Sequence, residues 1–396
     1  MKQNLLSVRT LFFIVLLGLS LPSAWGQDDE LKNWSLSGYI KNLEALYFLN
    51  EPIFPGTEET FFQDNLIHNR LNFTAYLSEA ITFRADLRSR IFYGELVKLQ
   101  PNYGDLINDA NNDYLDLSLV LLDEEAWVIH TMLDRLYFEY LKNNLEIRLG
   151  RQRVNWGINM VWNPNDVFNA YSFTDFDYEE RPGSDALRVK YYTGFASSIE
   201  IVSKVFDDWD EATIGALWKL NKWKYDFQIL AAFVENDLAL GGGWAGNIKT
   251  ASFKGEFTWF HATKPGQKDN FAATFGVDYS FSNSFYINGG FLYNHLGSSS
   301  ANVANLFSFE LSARNLYPYK YAIFGQWTYP FTPLINGGMA VIYSPVDVHP
   351  LFVNPTVTLS IKENWDIDFI GQIVFNKTDK YTSPLQVAFL RLKFSY

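Results

Sequence analysis

The 396-residue chain contains no cysteine. That excludes a disulfide framework, a thiolate metal site and a cysteine nucleophile together. Histidine is nearly as scarce: His68, His130, His261, His295 and His349 are the whole set, far apart along the chain. No Gly-x-Ser-x-Gly, His-x-Ser or His-Glu-x-x-His run occurs. An enzyme is therefore not expected, and neither a cofactor nor a metal is; a dispersed Ser/His hydrolase remains only as a distant alternative. Charge is thin as well, at 19% of residues against about 25% in an ordinary soluble domain. The balance is acidic, −12 overall, which argues against a nucleic-acid partner. After residue 26 no apolar run reaches the roughly 20 residues of a transmembrane helix.

What the chain has in excess is aromatic: 34 Phe, 23 Tyr and 12 Trp. Its first residues also stand apart. Lys2 and Arg9 precede the apolar run Leu11–Leu21, and Ala24-Trp25-Gly26 offers small residues where a signal peptidase cleaves. Residues 1–26 are expected to be a secretory signal peptide, and residues 27–396 a single domain. A long exported chain without disulfides must draw its stability from size or from closing a sheet.

The body reads with period two. Ile81, Phe83, Ala85 and Leu87 alternate with Thr82, Arg84, Asp86 and Arg88; Phe271 to Ser280, Leu351 to Ile361 and Trp365 to Ile373 do the same. Such runs match the 9–11 residues of a tilted membrane-crossing strand. Short connections, such as Ser78-Glu79-Ala80, Lys142-Asn143-Asn144, Asn221-Lys222 and Glu363-Asn364, alternate with long polar ones at 50–65, 94–130, 157–186, 207–211, 298–318 and 377–384. Trp34, Tyr93, Trp218, Trp259, Trp327, Tyr343 and Trp365 stand at strand ends as girdles would. The expected fold is all-β: a transmembrane antiparallel barrel of about 18 strands (16–18), with short periplasmic turns and long extracellular loops. Leu240–Ile248 and Ser298–Pro318 are its least certain parts. A backbone in lipid has no water to bond to, so only a closed sheet survives there. The expected location is the outer membrane of a Gram-negative bacterium, with its lipid as a partner.

If apolar positions face lipid, the alternate ones face the lumen. Arg84, Asp86, Arg88, Arg90, Arg135 and Arg148 are then candidates to line a pore and set its selectivity. Basic positions outnumber acidic ones on that face, so small hydrophilic solutes, anions above all, are the expected cargo. Pairing between neighbouring strands is the plainer role for any one of them. The acid lies in clusters at 58–59, 123–125, 175–180 and 207–211, where solvated loops are the simplest account. About ten residues separate Gln27 from the first strand, too few for a plug domain. An adhesin or structural anchor working through acidic loops is the alternative to a channel.

The alternation breaks in one place. Leu145, Ile147 and Leu149 are followed by Gly150, Arg151, Gln152 and Arg153, then Trp156-Gly157 and Asn163-Pro164-Asn165-Asp166. A bulge at Gly150 would turn Arg151 and Arg153 inward, and Pro164 marks a loop that could enter the pore and, with Arg151, Arg153 and Asp166, shape a constriction. Gly150, Arg151, Gln152, Trp156, Gly157, Asn163, Pro164 and Asp166 resemble a motif of a porin-like family of Gram-negative outer-membrane proteins. The resemblance implies a transport or export barrel. Some members accompany inner-membrane exporters of the resistance-nodulation-division type, and alginate-export barrels are architecturally similar. The last strand, Leu385–Tyr396, ends Ala388, Leu390, Leu392, Phe394, Tyr396 and resembles the C-terminal signal read by the barrel assembly machinery.

Overall fold

In the computed structural model the described residues are 33–50, 58–109, 113–173, 175–177, 179–299, 309, 311–377 and 379–396. The expected signal peptide, 1–26, lies outside them. Trp34–Tyr396 is one compact unit.

Its strands are Trp34–Leu49 (β1), Phe61–Tyr76 (β2), Ile81–Gly94 (β3), Ser118–Glu124 (β4), Trp127–Lys142 (β5), Leu145–Gln152 (β6), Ser184–Gly194 (β7), Ser197–Lys204 (β8), Thr213–Lys222 (β9), Tyr225–Val234 (β10), Asp237–Ile248 (β11), Ala251–Ala262 (β12), Asn270–Ser280 (β13), Tyr286–Asn294 (β14), Tyr321–Thr332 (β15), Ile335–Tyr343 (β16), Leu351–Lys362 (β17), Trp365–Lys377 (β18) and Tyr381–Ser395 (β19). Two short helices, Glu95–Leu99 (α1) and Tyr103–Asp109 (α2), precede β4. Eighteen strands close an antiparallel barrel, and β4 is an addition to it. Closure joins β1 to β19 from Tyr39↔Ser395 to Leu49↔Leu385. The glycine-rich stretch is a full strand, β11, whereas the described residues of 298–318 belong to no strand of the barrel wall. The turn expected at Asn221-Lys222 falls two residues later, at Trp223-Lys224.

Alternation sorts side chains as lipid demands. Phe275 is 49% exposed and Phe369 50%, while their neighbours Thr274 and Asp368 are buried on the other face. The outer belt continues through Leu149, Ile229, Leu240 and Leu390, with Trp34, Trp218 and Trp259 exposed towards strand ends. A surface this apolar, wrapped around a fully paired sheet, suits hydrocarbon.

The inner face departs from a uniformly wet lining. On β7 to β12 it carries Ala186, Val202, Leu217, Leu230, Ala232, Val234, Ala239 and Phe260, and these form a dry cluster with Val154, Trp156, Val167 and Phe168 of the segment after β6. The chain between β6 and β7 therefore lies inside the barrel.

That inward turn leaves β5 short of a neighbour. β6 pairs with β5 only from Lys142↔Leu145 to Leu136↔Arg151. Above it, β4 takes the same edge of β5, from Ser118↔Met132 to Glu124↔Trp127. The expected bulge at Gly150 is not there: β6 runs in unbroken register with β5 through Arg151 and with β7 through Gln152. The shift lies instead on β5, where Asp86↔Arg135 is followed by Leu87↔Leu133. Asp134 is the extra residue, so Asp134 and Arg135 are both buried in succession. Gly150 has a different task. Its φ is 121°, and a Cβ there would strike the Leu136 carbonyl oxygen. Gly150→Ala is expected to destabilise the barrel by about 1–3 kcal/mol, read as a lower thermal unfolding midpoint in detergent.

Candidate functional site: the segment inside the barrel

The described residues of 153–183 make a circuit of the interior, and the wall supplies an anchor at each stage. Trp156 is fully buried; its Nε1 donates to Glu200 Oε1 of β8 at 2.7 Å, and Gln228 of β10 donates to its carbonyl at 2.6 Å. Glu256 of β12 accepts three backbone N–H groups, from Ile158 (3.1 Å), Asn159 (2.9 Å) and Asn165 (3.2 Å). Thr258 donates to the Pro164 carbonyl at 2.7 Å, and Asn165 to the Gly242 carbonyl at 3.1 Å. A proline-containing turn has fewer ways to satisfy its own backbone, so these wall groups do it. Glycine makes the close approach possible: a Cβ on Gly215 would sit 2.8 Å from the Trp156 ring, and one on Gly243 2.6 Å from Ile158.

Farther along, Trp162 and Phe173 pack on Phe324 of β15, and Phe176 on Phe389 of β19. The acidic cluster then meets the wall. Lys41 Nζ lies 2.8 Å from Asp177 Oδ1, Lys393 Nζ donates to Glu179 Oε2 at 3.0 Å, and Tyr39 donates to Glu180 Oε1 at 2.9 Å. The expectation of a solvated loop is thus corrected for Asp177, Glu179 and Glu180: their carboxylates meet the wall because Lys41 of β1, Arg70 of β2 and Arg391 and Lys393 of β19 present cations there. The circuit closes on β5, where Arg135 donates to the carbonyls of Glu180 (2.6 Å) and Arg181 (2.8 Å).

The wall residues singled out by alternation lie together on β3, β5 and β6, and most are already engaged. Asp86 is fully buried between Arg84, at 2.9 Å, and Arg70, at 3.1 Å. Arg70 also bonds Asp134. Arg88 donates to His68 Nε2 at 3.3 Å and Arg90 meets His130 Nδ1 at 3.1 Å. Arg148 holds Glu139 and, at 3.1 Å, Glu146. Arg84, with its side chain 40% exposed, is the most open of them.

Within the motif, Arg151 grips Asp185 of β7 through Nε–Oδ1 at 2.9 Å and Nη2–Oδ2 at 2.7 Å, and also reaches the Leu115 carbonyl. Gln152 is buried and donates to the Ala186 carbonyl at 3.0 Å. A Cβ on Gly157 would run into the Asn163 side chain, and Asn163 donates to the Tyr171 hydroxyl at 3.0 Å. Asp166 is buried and accepts weakly from the Trp156 N–H at 3.4 Å. Burial pushes its carboxyl up to about 8, so at neutral pH it is largely uncharged. Arg153 and Arg181 both lie over the Tyr171 ring, at 5.7 and 3.9 Å, within cation–π range. Neither has a carboxylate ion-pair partner among the described residues, unlike Arg84, Arg135 and Arg148 of the wall.

Above the segment opens a vestibule of about 680 Å³ whose lining includes Arg88, Arg90, Arg181, Lys204 and Arg314 as well as Asp113 and Asp237. Lys204 is matched by Asp113 at 2.6 Å, and Arg314 by Asp237. Sequence reading did not single out Lys41, Arg70, Asp177, Arg181 or Glu200 as site residues. The one signal for the docking surface was the glycine run of β11, whose bare backbone accepts the inserted turn.

An 18-stranded closed barrel with an apolar belt and a long segment folded into its lumen is the porin class of fold. Solved structures bear this out. Pseudomonas aeruginosa OccK9 (OpdG) aligns at TM-score 0.59 and 12% identity over 92% of this chain and 98% of its own. Pseudomonas aeruginosa OccK7 (OpdD) aligns at 0.58 and 9%, over 92% and 99%. Acinetobacter baumannii OccAB2 aligns at 0.53 and 8%, over 91% and 98%. No protein-family model and no curated protein matches the chain.

Proposed function

We propose that the protein is an outer-membrane channel through which small hydrophilic solutes diffuse, anions in preference. The observation that carries this is Arg181. It lines the vestibule, rests on Tyr171, and donates only to the Ser172 and Asp175 carbonyls at 3.3 and 3.4 Å. A guanidinium with no carboxylate ion pair among the described residues, in a vestibule where Lys204 and Arg314 are matched by Asp113 and Asp237 and where Asp175 and Glu235 also stand, is the group an incoming anion meets. Arg84, Arg88, Arg90, Arg135 and Arg148 support this field from the wall, though their partners reduce what each contributes. The membrane around the belt is the other partner. Recognition of the β19 sequence by the barrel assembly machinery belongs to the same proposal. So does the exporter association that the motif resemblance implies, which co-purification with an inner-membrane pump would test.

Planar-bilayer recording in a salt gradient is the experiment. Wild type is expected to favour anions. Arg181→Glu changes two charges within a Debye length of the path, and is expected to lower the anion-to-cation permeability ratio by roughly threefold. Cation preference in the wild type, or no response to the substitution, would overturn the anion reading. Absence of any conductance would leave a sealed barrel and favour an anchor with acidic surface loops.

A further inference from the structure

Three short turns sit side by side along one arc of the rim. One lies between Gly194 of β7 and Ser197 of β8, Trp223-Lys224 joins β9 to β10, and Lys249-Thr250 joins β11 to β12. They are tied to one another: the Asn221 N–H donates to Ser197 Oγ at 3.4 Å, and the Tyr225 hydroxyl donates to the Asn247 carbonyl at 3.2 Å. All lie at the short-turn end of the barrel, which faces the periplasm. Just above them Tyr191, Ile199, Trp218 and Ile229 form one register row across β7 to β10, each about half exposed on the lipid side.

The tips of these turns carry rings and cations. Phe195 is wholly exposed and Trp223 is 75% exposed. Lys222, Lys224 and Lys249 are exposed as well, and none of them has an ion-pair partner among the described residues. Lys222 Nζ lies over the Trp223 ring at 4.6 Å. Asp226, beside the middle turn, already accepts from Asn221 Nδ2 at 2.6 Å. The middle turn is also strained. Trp223 and Lys224 have positive φ, 56° and 66°, in a two-residue hairpin that favours Asn and Gly; between β5 and β6 the same task falls to Asn143-Asn144. A tryptophan kept in left-handed backbone is rare enough to mark a working position.

We infer that this arc of the rim docks anionic phospholipid of the periplasm-facing leaflet, its phosphate met by Lys222, Lys224 and Lys249 and its glycerol margin covered by Phe195 and Trp223. Aromatic rings settle at the level of lipid headgroups, and lysines there are drawn to anionic lipid. A zwitterionic headgroup would set its own cation against the three lysines. A soluble acidic protein would match the lysines, but the rings adjoin a row of side chains that already lies in lipid.

The test is native mass spectrometry of the full-length barrel, released from nanodiscs that hold equal amounts of phosphatidylglycerol and phosphatidylcholine with the same acyl chains. Wild type is expected to retain phosphatidylglycerol over phosphatidylcholine about fivefold, the ratio that one lysine at an anionic surface supports. The triple variant Lys222→Glu, Lys224→Glu, Lys249→Glu is expected to bring that ratio to about one or below. The same change of charge at the opposite end, by Lys98→Glu, Lys264→Glu and Lys268→Glu, is expected to leave it as in wild type. Trp223→Asn gives the turn a residue it favours, and is expected to retain fewer lipid molecules of either kind. The β-sheet circular dichroism signal confirms the fold of each variant. Equal retention of the two lipids by wild type, a preference that survives the rim reversal, one lost equally at the opposite end, or an unaffected Trp223→Asn would each overturn the inference. It rests on the barrel's place in the membrane and not on conduction. A conducting barrel without lipid preference defeats this inference alone, and a lipid-selective barrel that does not conduct defeats only the channel.

Discussion

Replacing residues 153–183 by a short Gly/Ser turn is expected to raise single-channel conductance at least about threefold, since a barrel of this strand number encloses an aqueous lumen once its filling is removed. The design is gentle on the wall because Gln152 and Ser184 already face each other across the β6–β7 ladder. A hairpin turn can join them where the long segment now departs. The wall would lose the apolar cover over Val202, Leu217 and Leu230, so some loss of thermal stability should accompany the wider pore. Conductance equal to wild type, in a barrel of unchanged circular dichroism, would show that the segment is not the narrowest part of the path.

Glu256→Ala should have the largest effect of any single substitution. The side chain is 1% exposed and serves the N–H groups of Ile158, Asn159 and Asn165 at once. Each N–H left buried without an acceptor costs about 1–3 kcal/mol, so for the three the loss is expected to reach roughly 3–9 kcal/mol before water enters to relieve it. The failure should be local first. Limited proteolysis is expected to cut within 153–183 under conditions that leave wild type whole, and Glu256→Gln, which keeps one carbonyl oxygen, should fall between the two. If Glu256→Ala and wild type are cut alike, the carboxylate is not what holds the segment.

Much of the wall was legible from residue order because lipid imposes a strict rule. Phe275 and Asp368 had to face opposite ways, and period two reports that directly. The stretch after Leu149 was legible as a break, because arginine, tryptophan, glycine and proline in that order cannot continue a lipid-facing strand. What alternation does not report is who meets whom across the lumen. Glu256 and Asn165 are 91 residues apart, and Lys41 and Asp177 are 136 apart; each was visible as a charge or an amide, but the pairing belongs to the curvature of the closed sheet. The excess of wall cations therefore pointed to an open basic lumen, when part of it exists to receive Asp177, Glu179 and Glu180. Strand β4 was hidden for a related reason. Seven residues inside a long polar excursion carry little signal, and their role exists only because β6 stops early.

That filler strand makes one stave of the cask unlike the others. Among the described residues β4 has a ladder with β5 alone, and the fastening to β7 is made through the chain that leads into β4 and by side chains: the Leu115 N–H donates to Asp185 at 2.7 Å, and the Asp185 N–H to Asp113 at 2.7 Å. Every other joint resists shear with a row of main-chain bonds, whereas this one depends on a few carboxylates and one arginine. Mechanical strain on the cylinder would gather along that line. A hoop with a single riveted overlap has a preferred place to give, and here it lies directly above the point where the chain turns into the lumen.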